Sequence, residues 1–570
     1  MSTSNPLANT DKAAHEIPPS QRVLLLHGPR QPYHVTHDYA VPQLHHDREI
    51  LVRTAVIGLN PIDWKSPDFN FAIPELPYIA GRECAGEVVQ LKTRAETSSV
   101  HGLSEASEAD GLLSPEVPSA AEDAEADVVV DVTDNVASTT ISSNDTAIPA
   151  VEPIIHTFLT NDASAAKRVS VVDAVEVDDK TDVPLGRSPS TSTSGRITTG
   201  DRVLAISTDY RDLRKGAYQE YVVVWDYNTV RLPPHVSCEA GATMGVAFVA
   251  AVLALGVNLG VDFSSVAGGP DLLSIVRRLP PAALAADIRD ECLRGIGASD
   301  KDQDHDRARA GDWLAIWGAS STSAHMAIQL ARLAGLRVAA VVDTAKHGWR
   351  LARKDGDKED EETDKGWWQP DWVVDSHDPA RAVAVLRANL GSRLRFGFDT
   401  RGRDTATWLL RALAGGDPAA ASNKKATAST SNSASGRTTP RSSPPSPPAT
   451  PRGDNGVVAS ISDMADTDDL PVEQAPAPKS HLVGLTGLPK GTPPPHAVFH
   501  SVPIKLFHEV PAVGEALSSW LERLLASKKL VPPVVAGVED GLERVNAGLD
   551  RLRAGEISGG RLVVRLEGRT

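Results

Sequence analysis

A short apolar run, Trp313–Trp317, breaks at Gly318 into Ala-Ser-Ser-Thr-Ser and then into a stretch with helical spacing, Ala324–Leu333. A strand that turns tightly into a helix aims free backbone N–H groups at an anion. The hydroxyls of Ser320, Ser321, Thr322 and Ser323 stand at that turn as further donors for a phosphate. Of the glycine fingerprint G-x-G-x-x-G only Gly318 remains, so the same residues also read as an ordinary capped helix after a core strand. The next apolar run, Arg337–Val342, ends at Asp343, 25 residues beyond Gly318. A carboxylate there accepts from a ribose 2′-OH and favours NAD. Lys346, His347 and Arg350 follow closely, and cations there suit a 2′-phosphate and favour NADP. The alternative is that Asp343 caps the next helix and the cations are solvated.

Other reactive side chains are scattered. Lys65 is a candidate to polarise a carbonyl, unless it is a surface lysine after a turn. Asp63 reads as a turn cap. Tyr218 and Tyr221 share one expected strand, Tyr218–Trp225, where packing is as good a reading as catalysis. His34, His37, His45 and His46 resemble a metal group in composition, but their spacing is irregular, and they read as a solvated loop ahead of the first core strands. Trp367-Trp368 reads as cover for a strand edge. The chain has three cysteines, Cys84, Cys238 and Cys292, too few and too far apart for a disulfide framework or a CxxC metal cluster. Cys84 reads as a buried, inert thiol. A reducing, cytoplasmic setting is expected.

The 570 residues suffice for two or three domains. Residues 93–198 hold 19 acidic and 6 basic residues and carry −13 of the net −16. That stretch has one aromatic, Phe158, and residues 417–479, with their Pro/Ser tract, have none. Neither can bury enough apolar area to offset chain entropy, so both are expected to be disordered insertions. Lys354–Lys365 reads as a solvated loop, and Val128–Val136 as a stray strand. No basic face for nucleic acid is suggested. Met1–Ser20 lacks an apolar leader pattern. No run of about 18 apolar residues is evident, so no membrane span is expected.

The remainder changes period near Ser237. Before it, Ile50–Ile57 and the strand after Gly200 suggest a β-rich body. After it, a buried small-residue helix, Ala240–Leu255, precedes alternating strands and helices, with further strands at Trp372–Val374, Leu394–Phe398 and His481–Leu485. That alternation implies a parallel sheet.

Five segments, in order, resemble one family. Asn60-Pro-Ile-Asp-Trp-Lys65 resembles the NPxDxK segment of medium-chain quinone and enoyl reductases. Pro77-Tyr-Ile-Ala-Gly-Arg-Glu-Cys-Ala-Gly86 resembles their conserved turn. Gly200-Asp-Arg-Val203, Gly216-Ala-Tyr-Gln-Glu-Tyr221 and Ser558-Gly-Gly-Arg-Leu-Val-Val564 resemble their GDRV, GAFAEY and closing segments. The likeness is to zinc-free medium-chain dehydrogenases/reductases, most of all to fungal trans-acting enoyl reductases that serve polyketide synthases. It covers about 400 residues and excludes both insertions.

The resemblance implies an α/β chain: a GroES-like, β-rich catalytic domain plus a Rossmann domain with a doubly wound parallel sheet. The boundaries expected are a disordered 1–20, a catalytic domain at 21–236, a Rossmann domain at 237–499 and a return to the catalytic domain at 500–570. Carried over by position, Ile62, Asp63, Trp64 and Lys65 border the nicotinamide. Gly318 and Ser320–Ser323 hold the pyrophosphate. Asp343, Lys346 and His347 approach the adenosine ribose, Ser376, with His377 beside it, makes another cofactor contact, Leu485 and Thr486 flank the nicotinamide, and Gly559 and Gly560 touch the cofactor from the tail. Val246 and Phe248, with Lys505 and Phe507, border the substrate. Zinc-dependent relatives place ligands where this chain has Asn60 and Arg82, so no zinc is expected. Some enoyl reductases carry a tyrosine near Asn70-Phe71, and its absence leaves protonation to water or another group. The function implied is NADP(H)-dependent hydride transfer to an activated C=C bond, in an enone or enoyl thioester, with NAD(H) the less favoured cofactor. Quinone reduction is one alternative. A catalytically idle binding protein that keeps the fold is another.

Overall fold

The computed structural model describes residues 16–92, 195–207, 209, 211–294, 306–351, 368–413, 415 and 478–566. Nearly all of 93–198 and 417–479, together with Val128–Val136, Lys354–Lys365 and Trp367, lies outside the described residues. The described strands are β1 (Ser20–Leu25), β2 (His34–Ala40), β3 (Glu49–Gly58), β4 (Glu83–Leu91), β5 (Arg202–Ile206), β6 (Tyr221–Trp225), β7 (Thr229–Arg231), β8 (Trp313–Trp317), β9 (Arg337–Val342), β10 (Trp372–Asp375), β11 (Leu394–Asp399), β12 (Ser480–Gly484), β13 (Ala497–Ser501), β14 (Val535–Asp540) and β15 (Arg561–Arg565).

Every residue of β8 is buried, as are the last five of β9. Apolar runs without alternation suit strands covered on both faces, and these strands are parallel. Six strands line up as β10-β9-β8-β11-β12-β13, all pairs parallel. The order reverses between β8 and β11, and a crevice opens at the carboxyl ends of strands at such a point. The register brings Trp317, Asp399 and Gly484 side by side there.

The second large sheet runs β14-β15-β3-β4-β5-β7, with β6 added to β3. Its pairs are antiparallel except β14 with β15. Glu49–Gly58 is buried along nearly its whole length because strands cover both of its edges and other elements cover its faces. The expected strand at Tyr218 starts only at Tyr221. Tyr218 is instead held by backbone bonds to residues on either side of it, donating to Ala80 O (3.0 Å) and accepting from Leu24 N (2.9 Å).

Two expectations need correction. His34 and His37 lie in β2, not in a loop: β2 pairs with β1, and backbone pairing rather than burial makes the strand. The chain also rejoins the antiparallel sheet at Val535, later than residue 500. β13 completes the parallel sheet first, and the helix Pro511–Ala526 then packs Trp520 on Phe248 (ring centroids 5.9 Å) and Phe263 (4.8 Å). The small-residue helix proves longer than its expected bounds. Its 21 residues, Cys238–Asn258, are by length and composition enough to cross a membrane, yet 89% of the most apolar window is buried inside the body.

Candidate cofactor cleft and its polar support

The turn after β8 depends on Gly318. Its φ is +81°, and a Cβ there would stand 2.5 Å from Thr400 Oγ1. Gly318 and Ala319 both donate to Val341 O at 3.1 Å, which ties the turn to β9. Thr400, just past β11, donates toward the carbonyls of Trp317 (3.1 Å) and Gly318 (3.0 Å). Three of the four expected phosphate donors are therefore better read individually. Ser321 caps the helix Thr322–Leu333, accepting from Ala324 N at 3.1 Å, and donates to Thr400 Oγ1 at 3.0 Å. Thr322 Oγ1 accepts from Arg561 at 2.9 Å. Ser323 is half-buried on the first turn. Of the four, Ser320 is the one that lines the adjoining cleft.

That cleft runs across the carboxyl ends of β8, β9 and β10. Gly318, Ser320, Asp343, Lys346, His347 and Ser376 line it, all of them expected from the sequence. Arg401, Thr405 and Ser558 line it too, and were not. Asp343 Oδ1 accepts from Lys346 N at 3.0 Å, so the carboxylate caps the helix Thr344–Leu351. The Lys346 ammonium lies 3.7 Å from Asp343 Oδ2. His347 Nε2 is 2.9 Å from Ser558 Oγ, which fastens the tail to the cleft wall. Burial and the Arg350 charge hold the His347 imidazole below its ordinary range. Gly559 has φ +73°, and any Cβ there would collide with the Arg350 guanidinium. Gly560 has no room either, with Val534 O 2.6 Å from where a Cβ would sit.

Beneath the turn lies a buried polar knot that sequence reading missed. Glu83 is fully buried. Its Oε1 accepts from Asn60 Nδ2 at 2.9 Å and its Oε2 from Val246 N at 2.9 Å. Arg561, 4% exposed, lies 3.8 Å from Glu83, and donates to Asn60 Oδ1, Leu59 O (3.2 Å) and Thr322 Oγ1 (2.9 Å). One guanidinium thus joins the NPxDxK segment, the Gly81-Arg-Glu turn, the tail strand and the first residue of the cofactor-side helix. The only sequence signal was an arginine opening an apolar strand.

Asp63 closes a capping box with Asn60, accepting from its N–H at 2.8 Å. Its other oxygen is buried against the Tyr218 hydroxyl, and burial pushes its pKa up to about 6. Tyr218 and Tyr33 meet edge-on at 5.4 Å beside it, and Tyr33 donates to Asp63 O at 3.1 Å. Burial, then the Asp63 charge, pushes the Tyr218 hydroxyl up.

The remaining expected residues fall in two groups. Ile62, Trp64 and Lys65 are half-buried on the helix Pro61–Phe69, with the Lys65 ammonium 5.5 Å from the Trp64 ring and Arg553 5.6 Å from it. Leu485 N donates to Asp399 O at 2.8 Å, and Thr486 is exposed next to it. Val246 is half-buried, and Lys505 pairs with Asp287 at 3.1 Å. Phe248 and Phe507 both belong to the core, 1% and 0% exposed, because their helices turn the rings inward onto other apolar side chains. Lys505–Glu509 instead presents His508 to a second, small niche, where Lys215 sits 4.2 Å over the Trp225 ring. Cys84 is buried and its thiol is pushed up to about 12.

The family model for the alcohol dehydrogenase GroES-like domain matches residues 46–104. The matched segment takes in β3 and β4 of the antiparallel body. Solved structures with similar folds include a mycobacterial quinone oxidoreductase (14% identity, covering 96% of this chain and 100% of that one, TM-score 0.46) and a quinone oxidoreductase of Pseudomonas syringae (14%, 96% and 99%, 0.47). The CurK enoyl reductase is a third (10%, 96% and 99%, 0.47). No curated protein sequence matches the chain.

Proposed function

We propose that the chain is an NADP(H)-dependent, zinc-independent reductase of activated C=C bonds. The observation that carries this reading is the cleft at the sheet's switch point, with its Gly318 turn and a rim that holds Lys346, His347 and Arg401. The residues fit a dinucleotide. Ser320 and the amides opening the helix Thr322–Leu333 would hold the pyrophosphate, Asp343, Lys346 and Ser376 the adenosine ribose, and Leu485, Thr486 and the Lys65 segment the nicotinamide. A bound nicotinamide supplies a hydride for the β-carbon of an enone or enoyl thioester. Lys65 then donates to the enolate oxygen, and the α-carbon takes its proton from water. The tail, fastened at Ser558, helps keep water from the cofactor.

The donor set supports the zinc-independent reading. Asn60 offers an amide already bonded to Glu83 and Arg561, and the Arg561 guanidinium already lies 3.8 Å from the Glu83 carboxylate. A polyketide synthase supplying the enoyl thioester is part of the same reading. Titration of the full chain with NADPH, followed by fluorescence, and NADPH consumption with enones, enoyl thioesters and quinones test it. Binding with turnover of the first two classes is expected. Turnover of quinones alone replaces the substrate assignment, and binding without turnover replaces it with an idle cofactor-binding protein.

A further inference from the structure

The cleft rim holds more charge than its cofactor contacts need. Asp343, at the end of β9, and Asp375, at the end of β10, point to the same corner. His377 stands between them, with Nδ1 3.1 Å from Asp375 Oδ1 and Nε2 3.7 Å from Asp343 Oδ2. Thr344 also donates to Asp375 through its N–H (3.2 Å) and its hydroxyl (2.7 Å). The charged groups facing His377 are those two carboxylates and the Lys346 ammonium. Asp378, next in the chain, accepts from Arg381 N and caps the following helix.

Building on the NADP(H) reading above, we propose that His377 sets cofactor choice: protonated, it bridges and neutralises the Asp343–Asp375 pair so that the rim takes a 2′-phosphate, and neutral, it leaves Asp343 to repel that phosphate and accept a ribose 2′-OH. With the imidazolium present, two carboxylates face two cations. Without it, Lys346 alone faces both. The hydrogen bond to Asp375, then the Asp343 charge, raises the imidazole above its ordinary range. The side chain is 59% exposed, so the screened effect is a moderate fold-change and does not touch folding.

The test uses the full chain at fixed ionic strength, with NADPH and NADH titrated at a series of pH values from about 6 to about 8.5. The NADPH-to-NADH affinity ratio of the unmodified protein is expected to fall roughly tenfold over that range. His377→Asn should give a ratio that stays near the unmodified protein's high-pH value. Asp343→Asn should give a high ratio that no longer responds to His377. The 2′-phosphate itself titrates near pH 6, but it does so equally with every variant, so the comparison cancels it. Identical pH curves for the unmodified protein and His377→Asn would overturn this inference and leave the cofactor reading standing. Failure of both nucleotides to bind would overturn the cofactor reading, and this one with it.

Discussion

The two sides of the molecule treat charge in opposite ways. In the antiparallel body, Glu83 and Arg561 are almost fully removed from water and meet a partner at each polar edge: Asn60, Val246, Leu59 and Thr322. At the rim of the parallel sheet, Lys346 and His377 each lie 3.7 Å from the partly buried Asp343 and are themselves largely in water. A buried charge must be satisfied by the protein itself, because its desolvation is paid whether or not a ligand arrives. An exposed one remains free to exchange water for a ligand phosphate. The knot is therefore read as framework and the rim as recognition, although only Thr322 and the tail strand separate them.

The largest effect should come from breaking the knot. Arg561→Met leaves Glu83 without its cation and should destabilise folding by about 3–5 kcal/mol in urea titration. The double variant Glu83→Gln/Arg561→Met should recover at least half of that loss, since neither charge is then left alone. A single-variant loss below about 1 kcal/mol would mean that the buried pair is no more demanding than a surface pair, and the contrast between the regions would collapse.

The next effect compares one buried carboxyl from each region. Asp63 is pushed up to about 6 and Asp399 to about 7 from an ordinary 3.8, both chiefly by burial. Asp399 keeps two backbone bonds, from Arg401 N (3.0 Å) and Gly402 N (2.8 Å), so it shapes the loop that carries Arg401 into the cleft. A raised folded-state pKa means that the neutral acid suits the fold. Stability from these groups is fully present below about pH 4 and is lost as pH rises through about 6 for Asp63 and about 7 for Asp399. Asp63→Asn and Asp399→Asn should each remove that loss, roughly 2–4 kcal/mol at its upper end. Parallel pH–stability curves for variants and parent would show that the carboxyls titrate normally in the fold.

How much of this was legible follows from where the information sits. β8, β9 and β11 could be read because consecutive apolar residues buried on both faces leave a local mark. β2 and β14 could not: β2 is mostly exposed and made by pairing, and β14 alternates with no buried residue at all. Gly318, Asp343 and Lys346 were readable as a strand-end pattern. Arg561 was not, because its role depends on Asn60, Glu83 and Thr322, which only the folded chain brings together. Hydroxyls show the same limit. Four follow Gly318 in sequence, yet Ser321 and Thr322 are already engaged by Thr400 and Arg561. The competition between Asp343 and the cations was visible as a conflict, with the helix cap as one of its two readings, and the carboxylate does cap Lys346 N; which reading holds depends on side-chain geometry that the sequence does not carry.

That outcome gives the smallest and most specific prediction. Asp343 Oδ1 is committed to the helix cap at 3.0 Å, which leaves one oxygen to face a ribose. The Lys346 ammonium is 74% exposed and only loosely paired with that oxygen, so moving it to a phosphate sacrifices little. An exposed cation on a phosphate contributes about 1–2 kcal/mol, or roughly tenfold in affinity. Lys346→Ala should therefore weaken NADPH about tenfold and leave NADH nearly unchanged, with folding stability unmoved. Asp343→Ser should strengthen NADPH, because serine keeps the cap and removes the repulsion. Equal weakening of both nucleotides by Lys346→Ala would place the lysine on a group that the two share. A stronger NADH than NADPH in the unmodified chain would make Asp343 the ribose ligand and Lys346 a solvated surface charge.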